Sequence, residues 1–597
     1  MKNFFALSTV SMPIQKRWVV KPQGNSLTVE HISTSLRIPA VLANLLVQRG
    51  IDTVDKAKRF FNPRLEDLHN PFLMKDMDRA VERLEEAIAK NQRIMVYGDY
   101  DVDGTTAVAL VYKFLRHIGH NNLMFYIPDR YTEGYGISKR GIDIAAKKGV
   151  KLIIALDCGI KAVEKVDYAT QRGVDFIICD HHLPAEEIPR AVAVLDPKRT
   201  DCNYPFDELS GCGVGFKLVQ AYAQKHNIPF SEIESFLDLL VVSIASDIVA
   251  LTDENRILAH YGLKILNASP SEGLSSIIRI CGLEEQNITI DDIVFKIGPR
   301  INAAGRMRMD EYPEDSVPSG GYAAVKLLVE GNEEAARELG EGIDNYNQDR
   351  KKEDRSVTLE AHEFVENNAQ LKAQKSIVIY NPSWMKGIVG IVASRLIETY
   401  YRPTVVLTQS NGFVTGSARS IAGFDLYQAV ESCSDLLENF GGHMYAAGLT
   451  MKPENVEEFK RRFNQFVEEN IDPKSLVPQV EIDSMLSFSD ITPNFFNELN
   501  RFQPFGPGNN LPIFASEQCV NNGDAKLVGA DAEHLRMDLT QRSAPSARMQ
   551  TIAFQQPTHY EWVRAGRPID ICYQIVENNY RGKASLQLRI KDIKNGL

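Results

Sequence analysis

Cysteine pairs, long apolar runs and an excess of positive charge are all missing from this chain of 597 residues. Its eight cysteines (Cys158, Cys179, Cys202, Cys212, Cys281, Cys433, Cys519 and Cys572) are scattered, with no CxxC spacing. That excludes a disulfide framework and a thiolate zinc site, and it marks reduced, mostly buried thiols. No apolar stretch reaches the roughly 18 residues that a membrane span needs; even residues 239–249 are broken by Ser243, Ser246 and Asp247. The opening Met1-Lys2-Asn3-Phe4-Phe5-Ala6-Leu7 is too short an apolar run for a secretory signal, and no small-residue cleavage site follows. A cytoplasmic protein without membrane attachment is expected. Lysine and arginine number 67 against 78 aspartates and glutamates, a net charge of −11. This excludes a uniformly basic coat but leaves room for a local basic groove. Residues 531–597 do reverse the sign, with ten Lys and Arg against seven Asp and Glu.

What is present is organised along the chain. A length of 597 residues is too great for one core and implies three or four domains. Residues 1–75 carry amphipathic helical patterns and turn signals. From 76 to 330 the pattern alternates strand and helix, with buried apolar runs at 94–97, 123–127, 151–156, 174–179 and 191–195. Such alternation predicts a parallel, doubly wound sheet. Residues 331–372 are charged and helix-forming without a strong apolar face, as in a long connecting helix. A second α/β segment is expected over 373–470. Residues 471–597 alternate polar and apolar at period two and suit a small antiparallel barrel.

The chemistry sits at the predicted strand ends. Asp180-His181-His182 follows one strand, Asp157 another, and Asp99, Asp101 and Asp103 lie in the loop after a third. Open α/β sheets bind ligands at these carboxyl ends, so separate motifs become one cleft. Oxygen and imidazole donors without thiolate favour Mn²⁺ or Mg²⁺ over structural zinc. This many anionic groups suits two ions and hydrolysis at phosphorus. One ion would be held by some of Asp101, Asp103, Asp157 and Asp180. The other would share bridging carboxylates with His181 or His182. Asp247, in the apolar run Ser243-Ile244-Ala245-Ser246-Asp247, either completes the shell or serves as a capping or buried structural carboxylate. Cys158 and Cys179 read as strand-end packing, and Gly211-Cys212-Gly213-Val214-Gly215 as close packing rather than a phosphate loop. Further on, Ser417 and Arg419 beside glycine could hold a phosphate, and Gly441-Gly442-His443 permits close approach with an imidazole at hand. In the last segment Tyr560, Trp562, Tyr573 and Tyr580 interleave with Arg564, Arg567, Arg581, Lys583 and Arg589, a composition that suits single-strand binding, although half of these aromatics, Tyr573 in its apolar strand first, also read as core.

These motifs resemble a known family. Gly98-Asp99-Tyr100-Asp101-Val102-Asp103-Gly104, Leu156-Asp157-Cys158-Gly159, Asp180-His181-His182 and Asp247 are similar to the four motifs of the DHH phosphoesterase superfamily. Gly441-Gly442-His443-Met444-Tyr445-Ala446-Ala447-Gly448 resembles the GGHxxAAG motif of its associated C-terminal domain. Pro299-Arg300-Ile301-Asn302-Ala303-Ala304-Gly305-Arg306-Met307, Gly387-Ile388-Val389-Gly390 and Gly416-Ser417-Ala418-Arg419-Ser420 narrow the match. Pro504-Phe505-Gly506-Pro507-Gly508-Asn509 resembles the opening of an OB-fold domain. The likeness covers about residues 30–597 and is to the superfamily's single-strand-specific 5′→3′ DNA exonucleases of recombination and repair.

The resemblance implies metal ligation by Asp101, Asp103, Asp157, Asp180, His181, His182 and Asp247, with Asp99 in support. It implies catalytic work by Asp99, Asp101, Asp103, His182 and His443. It places the 5′ phosphate on Arg130, Ser417 and Arg419, with Arg300, Arg306, Gly441 and Gly442 as further DNA contacts and His443 on the scissile phosphate. Single-stranded DNA is the implied substrate and a RecQ-type helicase and a single-strand-binding protein the implied partners of a monomer. The chain departs from the pattern at Tyr97, where relatives carry His, at Met385-Lys386 and at Asn510. A short-oligonucleotide or cyclic-dinucleotide phosphodiesterase of the same superfamily and an inactive DNA-binding scaffold are the competing readings. Against them stand the C-terminal barrel and the full ligand set.

Overall fold

The structure, a computed structural model, describes residues 15–307, 320–580 and 583–596. The strand β1 (Arg17–Val20) and the helices Ser26–Leu36, Ala40–Gln48 and Val54–Phe61 come first, and what they pack against lies at the other end of the chain. The apolar runs that follow become β2 (Arg93–Gly98), β3 (Leu123–Tyr126), β4 (Val150–Leu156), β5 (Asp175–Cys179) and β6 (Ala193–Leu195). They form one parallel sheet in the order β3-β2-β4-β5-β6. Both faces are covered, which is why these strands read as continuous rather than alternating apolar runs. One face is buried with Phe114, Phe216, Val241 and their neighbours, and the other with Tyr97, Ile142, Val166 and Phe176. The chain leaves β2 to one side for β3 and returns to the other side for β4. The carboxyl ends of β2 and β4 therefore flank the point where the winding direction reverses, where such sheets open a crevice.

The helix Glu333–Glu366 runs for 34 residues, about 51 Å at 1.5 Å per residue. It does carry a buried stripe, Ala336, Gly340, Ile343, Asn347, Asp354, Val357, Ala361 and Val365. Two polar members in the middle hide that stripe from a periodicity reading. The stripe is also divided between two cores: Ala336 and Ile343 join that of the parallel sheet, and Val357, Ala361 and Val365 join that of the next domain. That domain holds β7 (Ile377–Tyr380), β8 (Thr404–Ser410), β9 (Phe413–Arg419), β10 (Leu437–His443) and β11 (Ala446–Met451). Their order is β10-β11-β9-β8-β7, with only β7 and β8 parallel.

The last strands are β12 (Gln479–Ile482), β13 (Ser484–Met485), β14 (Phe514–Asn521), β15 (Lys526–Val528), β16 (His534–Gln541), β17 (Ala544–Ala553), β18 (Ile569–Tyr580) and β19 (Lys583–Asn595). The sheet runs β13-β14-β18-β19-β17-β16-β15, and a further β14–β16 pairing closes five strands into a barrel. The expected antiparallel barrel is modified in one respect, since β17 and β19 run parallel. Residues 17–61 belong with this barrel, whereas Leu65, Leu68, Phe72 and Met74 pack on the parallel-sheet core. β1 pairs with β12 in parallel, and Ile32, Leu42, Leu45 and Leu46 share one core with Phe488, Phe495, Phe502 and Phe514. Periodicity cannot reveal a partner some 450 residues away.

Leu42 is fully buried in that shared core. Leu42→Ala should cost about 2–5 kcal/mol, and hydrogen exchange should show lost protection in the first helices and in β14 but not in β2–β6. Loss confined to the first 75 residues would contradict the shared core.

Candidate metal centre

Each strand end delivers its side chain by ordinary capping. After β2, Asp101 is the N-cap of the helix Val102–His117 and accepts from Gly104 N at 3.0 Å. Asp103, in the first turn of that helix, points the other way. Its carboxylate accepts from the amides of Gly211 and Cys212 at 2.6 and 2.8 Å and from Ser243 Oγ at 2.6 Å. The two amides open the helix Gly211–Lys225, whose positive end suits an anion. The glycine run therefore acts by close packing, as expected, but against the site itself: a Cβ on Gly211 would stand 2.5 Å from that of Asp157. Asp157 sits at φ 59° just after β4, and Asp247 ends the helix Leu237–Ser246.

These groups meet around His181. Its Nε2 lies 3.2 Å from Asp157, 3.7 Å from Asp103 and 3.7 Å from Asp247. Its Nδ1 is 3.0 Å from Leu209 O, which can only accept. The proton is thereby placed on Nδ1 and the Nε2 lone pair faces the carboxylates, the arrangement a metal-binding imidazole needs. Burial holds the His181 imidazole below its ordinary value and so neutral. Donor atoms of Asp103, His181 and Asp247 lie within 4.8 Å of one another, as do those of Asp157, His181 and His182. A single Nε2 can serve one ion, so two adjacent ions would have to divide the carboxylates between them.

The electrostatics ask for a cation. Burial, and then the charges of Asp103, Asp101 and Asp247, push the Asp157 carboxyl well above its usual range. Burial and the charges of Asp103 and Asp101 do the same to Asp247, and burial raises Asp103. Thiols cannot contribute, because burial keeps Cys158, Cys179 and Cys212 protonated. Carboxylates, one correctly tautomerised imidazole and no thiolate fit a hard divalent ion.

Asp180 and His182 form a pair of their own. Asp180 Oδ1 accepts from His181 N and His182 N and lies 2.7 Å from His182 Nδ1, while Oδ2 accepts from Ile160 N at 2.9 Å. Burial opposes the charge on both partners, but the hydrogen bond between them wins. Asp180 is held low and His182 is raised to about 9. In this arrangement Asp180 braces the two histidines and stands outside both donor groups. Asp99 is buried behind the loop, where burial and then Asp101 push its carboxyl up, and it accepts weakly from Gly136 N at 3.4 Å. Tyr97 lies on the opposite face of the sheet, bonded to Gly136 O and Ser138 N.

Across the cleft the charge reverses. Burial, and then the proximity of Arg130, Arg350 and Arg419, lower the Arg306 guanidinium to about 9. Arg130 lies over the Tyr100 ring at 3.9 Å with Nε donating to Gly305 O. Arg419 donates to Ser417 Oγ at 2.8 Å. Gly390 lies beneath both, since a Cβ there would stand 3.0 Å from Ser417 Oγ and 3.1 Å from Arg419. Gly387 lets the second domain dock on Arg306 O. At Met385-Lys386, the lysine donates to Arg130 O at 3.3 Å. His443 ends β10, where burial and then the charges of Arg419, His182 and Lys198 lower it. Gly442 is required by its own hairpin, as a Cβ would stand 2.2 Å from Ala446 O, whereas Gly441 faces open space. Arg300 is drawn elsewhere, ion-paired with Asp344 of the long helix at 2.9 Å.

Three cleft residues escaped the sequence reading. Lys198 follows β6 and bears on His181, Asp247 and His443; its place after a strand end was a usable signal. Tyr135 donates to Asp157 O at 3.1 Å, and Arg350 projects from the long helix, neither with any local pattern. The barrel aromatics divide as the apolar strand pattern implies. Tyr573 is core, 2.8 Å from Ser516 Oγ, and Trp562 donates to Pro568 O under Arg567. Arg581 lies outside the described residues, as do the side chains of Tyr580 and Lys583.

The model of the DHH family, N-terminal domain, matches residues 93–244, the DHHA1 domain 373–469, and the RecJ OB domain 482–592. The single-stranded-DNA-specific exonuclease RecJ of Bacillus subtilis (strain 168) is 36% identical over 578 residues, covering 96% of this chain and 70% of the relative. The chain belongs to the RecJ family. RecJ of Thermus thermophilus in complex with Mn²⁺ superposes with a TM-score of 0.81 at 26% identity, over 97% of this chain and 79% of that one. The Mg²⁺ complex of the same protein gives 0.75 at 25% identity, over 97% and 78%.

The raised carboxyls must shed protons before they can bind an ion. Their folded-state values exceed the unfolded ones, so the metal-free protein loses stability as pH rises through the folded values. Thermal unfolding should therefore show a larger Mn²⁺-induced rise in melting temperature at pH 8 than at pH 6. An increment independent of pH would contradict the buried carboxylate cluster.

Proposed function

We propose that this chain is a divalent-metal-dependent exonuclease that degrades single-stranded DNA from its 5′ end and releases 5′-mononucleotides in recombination and repair. One observation carries the reading: a carboxylate cluster and a guanidinium cluster face each other, with His443 under the influence of both Arg419 and His182. The ligands we assign are Asp101, Asp103, Asp157, His181 and Asp247, with Asp180 and His182 contributing through their pair, and the centre holds two ions, Mn²⁺ or Mg²⁺. When bound, the ions activate a water and neutralise charge developing on phosphorus. The rest of the chemistry belongs to the chain. His181 supplies a neutral Nε2, fixed by Leu209 O. Ser417, Arg419 and Arg130 take the terminal phosphate by charge-assisted hydrogen bonds, Arg306 adds charge, and neutral His443 offers an N–H to the scissile phosphate. Holding the terminal phosphate on one side and cutting on the other gives the direction of attack and a one-nucleotide step. The barrel gives the strand a platform. In this reading the enzyme acts as a cytoplasmic monomer on ends exposed by a RecQ-type helicase and covered by a single-strand-binding protein.

A charge-assisted contact contributes about 1.5–3 kcal/mol. Arg419→Ala should slow digestion of a 5′-phosphorylated single strand by about 10- to 150-fold, and a 5′-hydroxyl strand much less. Equal losses on both, or earlier release of a 3′ label than of a 5′ label, would contradict the assignment. Asp157→Asn should abolish turnover on either while leaving single-strand binding in place.

A further inference from the structure

The metal centre is built on the parallel-sheet domain, yet one of its carboxylates is steadied from outside that domain. Asp247 closes the helix Leu237–Ser246, its amide donating to Ser243 O at 2.9 Å. Residues 248–252 then turn back into the helix Asp253–Ala268. Ile248 opens the turn at φ 59° and is 63% exposed, a left-handed conformation that a β-branched residue adopts at a cost. A strained, exposed turn needs external support to hold Asp247 in one direction.

That support comes from the barrel domain. Leu251 N donates to Pro507 O at 2.7 Å. A Cβ on Gly506 would stand 2.5 Å from Leu251 Cδ1, and one on Gly508 would stand 2.8 Å from Thr252 Cγ2. The 504–509 loop therefore lies directly against the side chains of Leu251 and Thr252, and Gly508, at φ 74°, also needs glycine for its backbone, a strain that Gly508→Ala keeps whatever stands at 252. The loop is itself fixed. Buried Arg256, in the first turn of the returning helix, donates to Phe502 O, Gln503 O and Pro504 O at 2.9, 2.9 and 3.3 Å. Asn509, 1% exposed, donates to Phe502 O and Pro504 O and accepts from Arg49. On the turn's far side Asn255 donates to Ala250 O and Glu208 O at 3.0 and 2.6 Å.

We propose that the 504–509 loop of the barrel is the positioning element for Asp247, so that the barrel sets how tightly the centre closes on its second ion. The inference rests on reading Asp247 as a metal ligand. Its test is a titration of the full chain with Mn²⁺ alone, the free ion read by electron paramagnetic resonance. Gly508→Ala should weaken the weaker of the bound equivalents by about three- to tenfold, somewhat less than loss of a direct outer partner. Single-strand binding in EDTA, read by fluorescence anisotropy, should stay within about twofold of the parent. Adding Thr252→Ser removes the methyl that the new Cβ meets and should recover about half of the lost affinity. A Gly508→Ala isotherm that overlays the parent's overturns the proposal, and so does a weakening that Thr252→Ser leaves untouched, which would mark general loosening of the interface. Asp247→Asn separates the two claims. If it retains both equivalents, the ligand assignment fails and takes the proposal with it. If it loses one while Gly508→Ala changes nothing, only the positioning claim fails.

Discussion

Like charges packed beneath a sheet edge are the constraint on which this molecule is organised. Two unit charges 4.8 Å apart repel by about 3–4 kcal/mol at an effective dielectric constant near 20, and donor atoms of Asp103 and Asp247 lie within that distance. The fold copes in two ways. It supplies fixed partial positive charge, as with the amides of Gly211 and Cys212 and the Ser243 hydroxyl at Asp103. It also leaves carboxyls raised, Asp103 in spite of its donors and Asp157 and Asp247 well above their usual range. The residual demand for positive charge is what a divalent ion meets, and it is confined to the one face of the cluster that opens to the cleft.

Beside the carboxylates stands a cluster of the opposite sign. Arg130, Arg306, Arg350 and Arg419 crowd closely enough that burial and mutual repulsion depress Arg306. They come from three parts of the chain: the sheet domain, the long helix and the second α/β domain. A polyanion would satisfy both clusters together, its phosphates meeting the guanidinium groups on one side and the divalent ions that Asp103, Asp157, His181 and Asp247 would hold on the other. The helix Glu333–Glu366 holds the two sides apart by joining both cores. The long separation in sequence between His182 and His443 is thus a short passage in space, since the charge of the first bears on the second.

Much of this was legible in residues. Buried strands announce themselves as apolar runs, and the rule that sites lie at their carboxyl ends gathered Asp101, Asp103, Asp157 and Asp180-His181-His182 before any fold was known. What could not be read is long-range. Asp180 carries the same residue type and strand-end position as Asp157, yet its lone pairs go to His182, Ile160 and two amides. Arg300 and Arg306 share one motif, but Asp344 claims the first. The first 75 residues look like a separate helical unit, yet Ile32 to Phe61 pack into the barrel's core and Leu65, Leu68, Phe72 and Met74 into that of the parallel sheet. By contrast, Tyr573 in the barrel fills the core site that its apolar strand announced. Each difference reflects a partner from a distant segment, which neither local propensity nor periodicity encodes.

The most direct test of the account is anomalous diffraction at the manganese edge from crystals grown with Mn²⁺. The carboxylate cluster predicts two peaks about 3.5–4 Å apart, enclosed by Asp101, Asp103, Asp157, His181 and Asp247. A single peak, or peaks bonded outside this set, would contradict the two-ion centre and with it the division of labour between the two sides of the cleft.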